Sequence, residues 1–302
     1  MIPGSFDYHS PSTVDEAIAL LRGHGGAKLL AGGHSLIPAM RFRLASPEVL
    51  IDLNRVPGLR YIREENGVLA IGALTPEVDI DTSPIVRARY PLLADTARVI
   101  ADPLVRNRGT VGGNLAHADP ANDHPATMLA YGASLVAQGP NGRRTIAIDD
   151  FFTGLFENSL ASDEVLVEVR IPTPPADSGG AYVKLERKVG DYATAAVAVQ
   201  LTMQGGVVRA ARIGLTNVSA VPMRATNAEA ALVGEAPANA LAALVGQTLT
   251  DAMVEAAGVA AAAQCDPSAD LRGSEAYKRD MIRVLTKRAV RLAVGRATTG
   301  AE

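Results

Sequence analysis

The sequence predicts an α+β chain of three consecutive units. Three observations carry that prediction. At 302 residues the chain is longer than one hydrophobic core usually serves, since single cores stop growing near ~250–300 residues. Alternating strand and helix patterns before Pro57 give way to hairpins and short helices after it, and the C-terminal part reads as strands followed by helices. The stretch Pro172-Thr173-Pro174-Pro175-Ala176-Asp177-Ser178-Gly179-Gly180 is rich in residues that cannot extend a strand or helix, and reads as a linker. The expected units are 1–57, 58–175 and 176–302.

In the first unit, Phe6 to Asn54 reads as strand, helix, strand, helix, strand. Thr13 and Glu16 form a capping-box signal, Val14, Ala17, Ile18 and Leu21 share one helical face, and Gly23 ends the helix. The apolar strand Ala27 to Ala31 runs into Gly32-Gly33, and Ser35 is placed to cap a helical turn that carries Pro38. In the second unit, Tyr61 to Ala73 is a hairpin around Asn66-Gly67, with helices starting near Thr75-Pro76 and Pro91. A helix from Pro125 to Tyr131, a hairpin from Ser134 to Ile148 turning at Asn141-Gly142, and a strand from Glu164 to Ile171 complete it. The third unit reads as a three-stranded sheet, Ala181 to Lys188, Ala193 to Met203 and Val207 to Thr216, followed by alanine-rich helices. The last of these, from Ser274, places Tyr277, Met281, Leu285 and Leu292 on one face.

Composition narrows the function. The chain is 48% hydrophobic and 20% charged with a formal net charge of −3, so it folds and offers no broad basic surface for nucleic acid. Its single cysteine, Cys265, excludes an internal disulfide and an Fe-S cluster held by this chain alone. That thiol reads as an apolar filler. His9, His24, His34, His117 and His124 show no metal-binding spacing, so no metal site is expected. The N-terminal residues lack a secretory pattern and no segment reads as membrane-spanning, which gives a cytoplasmic expectation.

Two diglycine loops carry the chemistry: Ala31-Gly32-Gly33-His34-Ser35 and Thr110-Val111-Gly112-Gly113-Asn114. Glycines without Cβ atoms let backbone approach a ligand, and successive N–H groups can form an anion-binding nest. Polar residues follow each pair and add donors, so two loops suit two phosphates. A tight turn would account for each pair taken alone. Neither a dinucleotide-binding Gly-x-Gly-x-x-Gly after the first strand nor a Walker motif occurs.

The flanking words resemble a known family, the FAD-binding medium subunits of molybdenum hydroxylases, which include carbon monoxide dehydrogenase and xanthine dehydrogenase. They are Leu30 to Pro38, Ile100 to Asn114, Asp119-Pro120-Ala121-Asn122-Asp123 and Tyr182 to Lys188, in an order that spans nearly the whole chain. The resemblance implies two N-terminal subdomains of the PCMH/vanillyl-alcohol-oxidase type clamping FAD, with a C-terminal α+β domain. It implies that Leu30, Ala31, Gly32, Gly33, His34 and Ser35, with Thr110, Val111, Gly112, Gly113 and Asn114, bind the pyrophosphate and ribityl region. Asp123 is implied as a further polar contact, and Ile100 as a neighbour of the isoalloxazine. Leu166 and Lys184 match positions near the adenine end or flavin ring, and Tyr192 matches an aromatic lying over the flavin. From position alone, Asp123 also reads as a helix N-cap, Ile100 as core, Lys184 as a solvated strand residue and Tyr192 as a strand-edge tyrosine. Arg106 and Arg108 either raise the potential near the pyrophosphate or brace the loop through carbonyls.

By the same resemblance, the partners are a large molybdopterin-binding subunit and a small 2Fe-2S subunit. The terminal acceptor is a quinone, NAD or oxygen. No general acid or base is expected, because the cofactor carries the redox chemistry. Two other readings stay open at this point: a self-sufficient FAD oxidoreductase acting on a small substrate, and a non-catalytic nucleotide-binding assembly module.

Overall fold

A computed structural model of the protein describes residues 2–233 and 248–299. The N-terminal strands β1 (Asp7–His9), β2 (Lys28–Leu30) and β3 (Val49–Asp52) form a parallel sheet in the order β1-β3-β2, connected by α1 (Val14–Gly23) and α2 (Leu36–Arg41). Thr13 Oγ1 accepts the Glu16 amide at 3.1 Å, and the Glu16 carboxylate reaches back to the Ser12 amide at 2.7 Å, one residue beyond the expected partner. Ala17, Ile18 and Leu21 bury the helix face against this sheet. Ser35 stands at the N-cap of α2, but its side chain makes no capping hydrogen bond. The backbone there is already turned by Gly33, at φ +78°.

The second sheet is antiparallel, in the order β4-β5-β10-β6-β7. It consists of the hairpin β4 (Ile62–Glu65) and β5 (Val68–Gly72), the hairpin β6 (Ser134–Gly139) and β7 (Gly142–Ala147), and β10 (Val165–Pro172). Asn66 and Gly67 both have positive φ, 50° and 77°, as a two-residue hairpin turn requires. In the later hairpin Gly139 pairs with Gly142, so the turn is Pro140-Asn141 and Gly142 already belongs to β7. Helices α3 (Glu77–Thr82), α4 (Pro84–Arg89), α5 (Pro91–Val99), α6 (Pro103–Arg106), α7 (Val111–His117) and α8 (Asp123–Tyr131) fill the connection from β5 to β6. A small ribbon, β8 (Phe152–Gly154) with β9 (Glu157–Asn158), precedes β10.

The C-terminal sheet has four strands rather than three: β11 (Ser178–Leu185), β12 (Ala195–Gln204), β13 (Val207–Thr216) and β14 (Met223–Arg224), in sequential antiparallel order. The fourth is two residues long, too short to leave a periodic signal. Helices α9 (Thr226–Val233), α10 (Asp251–Gln264) and α11 (Glu275–Thr299) cover it. Part of the alanine-rich stretch read as helical, 234–247, lies outside the described residues.

Two readings change here. Gly179 and Gly180 belong to β11 and not to a linker; a Cβ at Gly179 would fall 1.9 Å from the Ala293 carbonyl oxygen, so the glycine lets α11 lie directly on the strand. The buried face of α11 is Ile282, Leu285, Ala289, Val290 and Ala293, while Tyr277 and Leu292 are 43% and 44% exposed. Leu285 is buried and Met281 partly so, as the pattern predicts, whereas Tyr277 and Leu292 lie outside the face, which is completed by Ile282, Val290 and two alanines, with Ala293 lying directly on Gly179. The central core joins the helices and second sheet to Tyr182, Ala196 and Ala198 of the C-terminal sheet.

Candidate functional site

The two diglycine loops meet. A Cβ on Gly32 would lie 2.1 Å from the Arg108 carbonyl oxygen and 2.9 Å from Gly109 Cα, and one on Gly113 would lie 3.5 Å from Ala31 Cβ. Loop one is braced from behind: Asn54 Nδ2 donates to the Ala31 carbonyl at 2.9 Å and to Asp52, whose carboxylate also accepts the Tyr8 hydroxyl at 2.6 Å. Burial raises the Asp52 carboxyl, but the Tyr8 and Asn54 donors and the Arg108 charge outweigh it and hold it below its ordinary value. Leu30 ends β2, beside Ala31. His34 is exposed, and its Nδ1–H donates to the Gly32 carbonyl at 3.0 Å.

The loops differ in what their amides do. In loop two, Val111 N–H donates to Thr75 at 3.1 Å, Gly112 N–H to Ala73 at 2.9 Å, Gly113 N–H to Thr110 Oγ1 at 3.1 Å and Asn114 N–H to Thr110 at 2.9 Å. The amides of Val111, Gly112, Gly113 and Asn114 are all used by the fold, and a Cβ on Gly112 would strike Ala73 at 2.6 Å. The second pair of glycines therefore packs α7 against the β5 end, and the expectation of an amide nest at both loops is not met. Loop one is different. Among the described residues, the amides of Gly32, Gly33, His34 and Ser35 donate to no backbone or side-chain acceptor. Successive unpartnered amides around a residue with positive φ form a concavity suited to an anion.

Beyond loop two, the chain supplies a polar wall. Asn114 Oδ1 is buried with no partner, while its carbonyl accepts the Asn122 side-chain amide at 2.9 Å. Asp123 opens α8 as its first residue, not as its cap. Its carboxylate accepts the Tyr182 hydroxyl at 2.6 Å and the Lys184 ammonium at 3.0 Å. Burial pushes the Asp123 carboxyl up, against the pull of Lys184 and Tyr182, and burial beside that charge raises the Tyr182 phenol well above its ordinary value. Lys184 also donates to the Val99 carbonyl at 3.0 Å, and its side chain is 3% exposed, so it is not the solvated strand lysine its position suggests.

Ile100 follows α5 and is buried, and the Arg106 guanidinium donates to the Ile100 and Ala101 carbonyls, both at 3.1 Å. Arg106 thus braces the chain, whereas Arg108 is exposed. Tyr192 is 41% exposed beside the Ala101 turn, since a Cβ on the neighbouring Gly190 would reach the Ala101 carbonyl oxygen at 2.8 Å. Desolvation raises its phenol, reinforced by the Asp119 charge and partly offset by Arg272. Leu166 is buried on β10, paired with Ala137, in the central core. Thus the structure brings loop one, loop two, Asp123, Lys184, Ile100 and Tyr192 to one region, and sets Leu166 in the core behind it.

Sequence reasoning missed four contributing residues. Glu77 and His124 form a buried pair at 2.7 Å behind loop two, with His124 Nδ1 unpartnered. Tyr182 and Arg272 were also unassigned. Tyr182 stands two residues before Lys184, so the strand period placing both on one face was an available signal; Arg272 carried none. Among the described residues no three His, Cys, Asp or Glu side chains converge as metal ligands, and no helix is long and apolar enough to cross a membrane.

Comparison with known proteins gives a consistent result. The family described as the FAD binding domain in molybdopterin dehydrogenase matches residues 4–174, and the CO dehydrogenase flavoprotein C-terminal domain matches 180–242 and 237–293. The chain is 50% identical over 297 residues to the carbon monoxide dehydrogenase medium chain of Hydrogenophaga pseudoflava, covering 98% of this chain and 99% of the relative. It is 45% identical over 298 residues to the medium chain of the Afipia carboxidovorans enzyme, at 98% and 99% coverage. A solved structure of the Hydrogenophaga pseudoflava enzyme, lacking the Mo-pyranopterin moiety of its cofactor, superposes with a TM-score of 0.92 at 52% identity, covering 98% of this chain and 99% of that one.

Proposed function

The chain belongs to the family of FAD-binding domains in molybdopterin dehydrogenases, and from that premise we propose that it is the flavin subunit of a heteromeric molybdenum hydroxylase of the carbon monoxide dehydrogenase type. FAD is its cofactor. When bound, FAD supplies the redox chemistry, accepting electrons from a 2Fe-2S small subunit and releasing them to an external acceptor such as a quinone, NAD or oxygen. The single cysteine of this chain agrees with clusters held elsewhere, and a large molybdopterin subunit carries the substrate chemistry. A cytoplasmic complex is part of the same proposal.

The observation that carries the reading is the run of unpartnered amides from Gly32 to Ser35. Leaving such donors buried by a ligand without acceptors would cost about 1–3 kcal/mol each, so the loop favours an anionic diphosphate. Ala31 and Leu30 position it. Thr110, Val111, Gly112 and Gly113 contribute a rigid wall, not amide donors, while the orphaned Asn114 Oδ1 suits a hydroxyl or imide donor of the cofactor. These features fit FAD. We place the cofactor cleft beside the two loops, and Asp123, fixed by Lys184 and Tyr182, is a buried, held carboxylate at its edge. Ile100 supplies an apolar contact for the ring, Leu166 supports the cleft from the core, and Tyr192 stands at its mouth. Residues 1–57 and 58–175 form the two sides of the clamp and 176–302 the third unit.

Purification from the native source tests this directly. Partner chains carrying molybdopterin and 2Fe-2S centres are expected to accompany the protein; a flavin-loaded chain that travels alone and turns over a small-molecule donor contradicts the assignment.

A further inference from the structure

The turn between α10 and α11 reaches back to the loop that carries Tyr192. Arg272, on that turn, places its guanidinium carbon 5.5 Å from the Tyr192 ring centroid, and its Nη2 donates to Asp191 Oδ1 at 3.2 Å. Asp191 is gripped from the other side by Arg187 at 2.9 Å, and its Oδ1 accepts the Tyr192 amide at 2.8 Å. The two guanidinium groups outweigh the burial of Asp191 and hold its carboxyl below its ordinary value. Arg272 itself is fixed in place: Asp270 accepts the amides of Arg272 and Gly273 at 2.8 and 3.1 Å, and takes the Lys278 ammonium at 2.9 Å. The Arg272 Nε is buried without an acceptor.

This arrangement is unlike a surface ion pair. The Arg272 side chain is 19% exposed, comes from a remote segment, and spends its contacts on one short loop. That loop is seated against the Ala101 turn by Gly190, at φ +80°. A tyrosine 41% exposed at a loop tip would otherwise sample several rotamers. A guanidinium on the ring and a carboxylate on the adjoining amide restrict it from two directions.

We infer that Arg272 is a positioning residue of the cofactor cleft: through Asp191 and the face of Tyr192 it holds that ring at the cleft mouth, and so sets how closely an external electron acceptor approaches the cofactor. The inference rests on the reading that the cleft holds FAD. It assigns to the C-terminal unit a part in acceptor selection, and the acceptors it disfavours are bulky planar ones.

Two measurements on the full-length chain test it. In protein labelled with 3-fluorotyrosine, the Tyr192 resonance, identified by its loss in Tyr192→Phe, is expected to move toward the free amino-acid position in Arg272→Gln, with Arg272→Lys between. The other tyrosine resonances should stay, which shows the fold intact. A Tyr192 resonance that does not move overturns the inference. In the FAD-loaded chain after chemical reduction, the ratio of reoxidation rates with dichlorophenolindophenol and with dioxygen is expected to rise about fivefold in Arg272→Gln. In a Tyr192→Ala background the same substitution should change the ratio by less than about twofold, as coupling between the two residues requires. An unchanged ratio, or an equal change in both backgrounds, overturns the proposed link. A wild-type chain that takes up no FAD defeats the cofactor reading and the acceptor role with it, while the fluorine shift still reports whether Arg272 holds the ring.

Discussion

The place of a Gly32 side chain is taken by the backbone of Arg108, whose carbonyl oxygen would stand 2.1 Å from a Cβ built there. The glycine therefore joins the two loops before any ligand is considered. Gly32→Ala must push backbone against backbone, and a loss of about 3 kcal/mol, at the upper end of overpacking costs, is expected in urea denaturation. Gly23→Ala, whose Cβ meets nothing within 4 Å, should change stability by less than about 1 kcal/mol. Equal effects at the two positions would show that the loops tolerate separation.

Asp123 and Lys184 form a buried pair, 7% and 3% exposed, at 3.0 Å. Asp123→Asn leaves the ammonium without its closest anion and should cost about 3–5 kcal/mol by chemical denaturation. Adding Lys184→Met should recover a large part of that loss, because the cost lies in the uncompensated charge. A double variant whose loss equals the sum of the singles would mean that the two groups do not interact.

Stability should fall on acidification in two windows. Desolvation holds the His117 imidazole below its ordinary value, so the unfolded chain binds the extra proton first. Its contribution is complete above the unfolded value of about 6.5 and is lost as pH falls toward the folded value. Asp52, Asp191 and Asp270 are depressed in the folded state despite burial, by Tyr8, Arg187 and Lys278 respectively. Their contribution is present above about 4 and disappears as pH drops through the folded values. Thermal melts from pH 8 to 3 check both; His117→Gln should flatten the upper window and leave the lower one.

Cys265 is buried, its thiol donates to the Ala261 carbonyl at 3.2 Å, and burial pushes it up to about 12. A thiol so protonated is a poor nucleophile. Labelling with iodoacetamide at pH 7.5 should proceed only at the rate of unfolding, and rapid labelling of the native chain would contradict its placement.

Local signals were readable in the sequence, and tertiary ones were not. The Thr13–Glu16 cap and the Asn66-Gly67 turn depend on neighbours a few residues apart, so their chemistry announces itself. The diglycine pairs were also visible, but what each glycine does was not. Gly112 answers to Ala73 and Gly32 to Arg108, and the Val111 and Gly112 amides of loop two are taken by Thr75 and Ala73, partners fixed only when β5 and α7 meet. Asp123 and Lys184 could be named, whereas the Glu77–His124 pair and the Arg272 clamp exist only through contacts between distant segments. The face of α11 was read correctly at Leu285 and Met281 and misread at Tyr277 and Leu292. Near Gly179 the helix approaches too closely for a large side chain, so alanine and not leucine faces the strand there.

Loop one offers free amide donors and loop two does not, and titration of the intact chain with FAD, followed by flavin fluorescence, reads out that asymmetry. One FAD per chain is expected, with inorganic pyrophosphate competing. His34→Pro removes one unpartnered amide of loop one and should weaken binding by about tenfold, the worth of one hydrogen bond to a charged group. His34→Ala, which keeps that amide, should change affinity less than about twofold. A protein that stays colourless with FAD, or a His34→Pro variant that binds as tightly as the parent, would contradict the account.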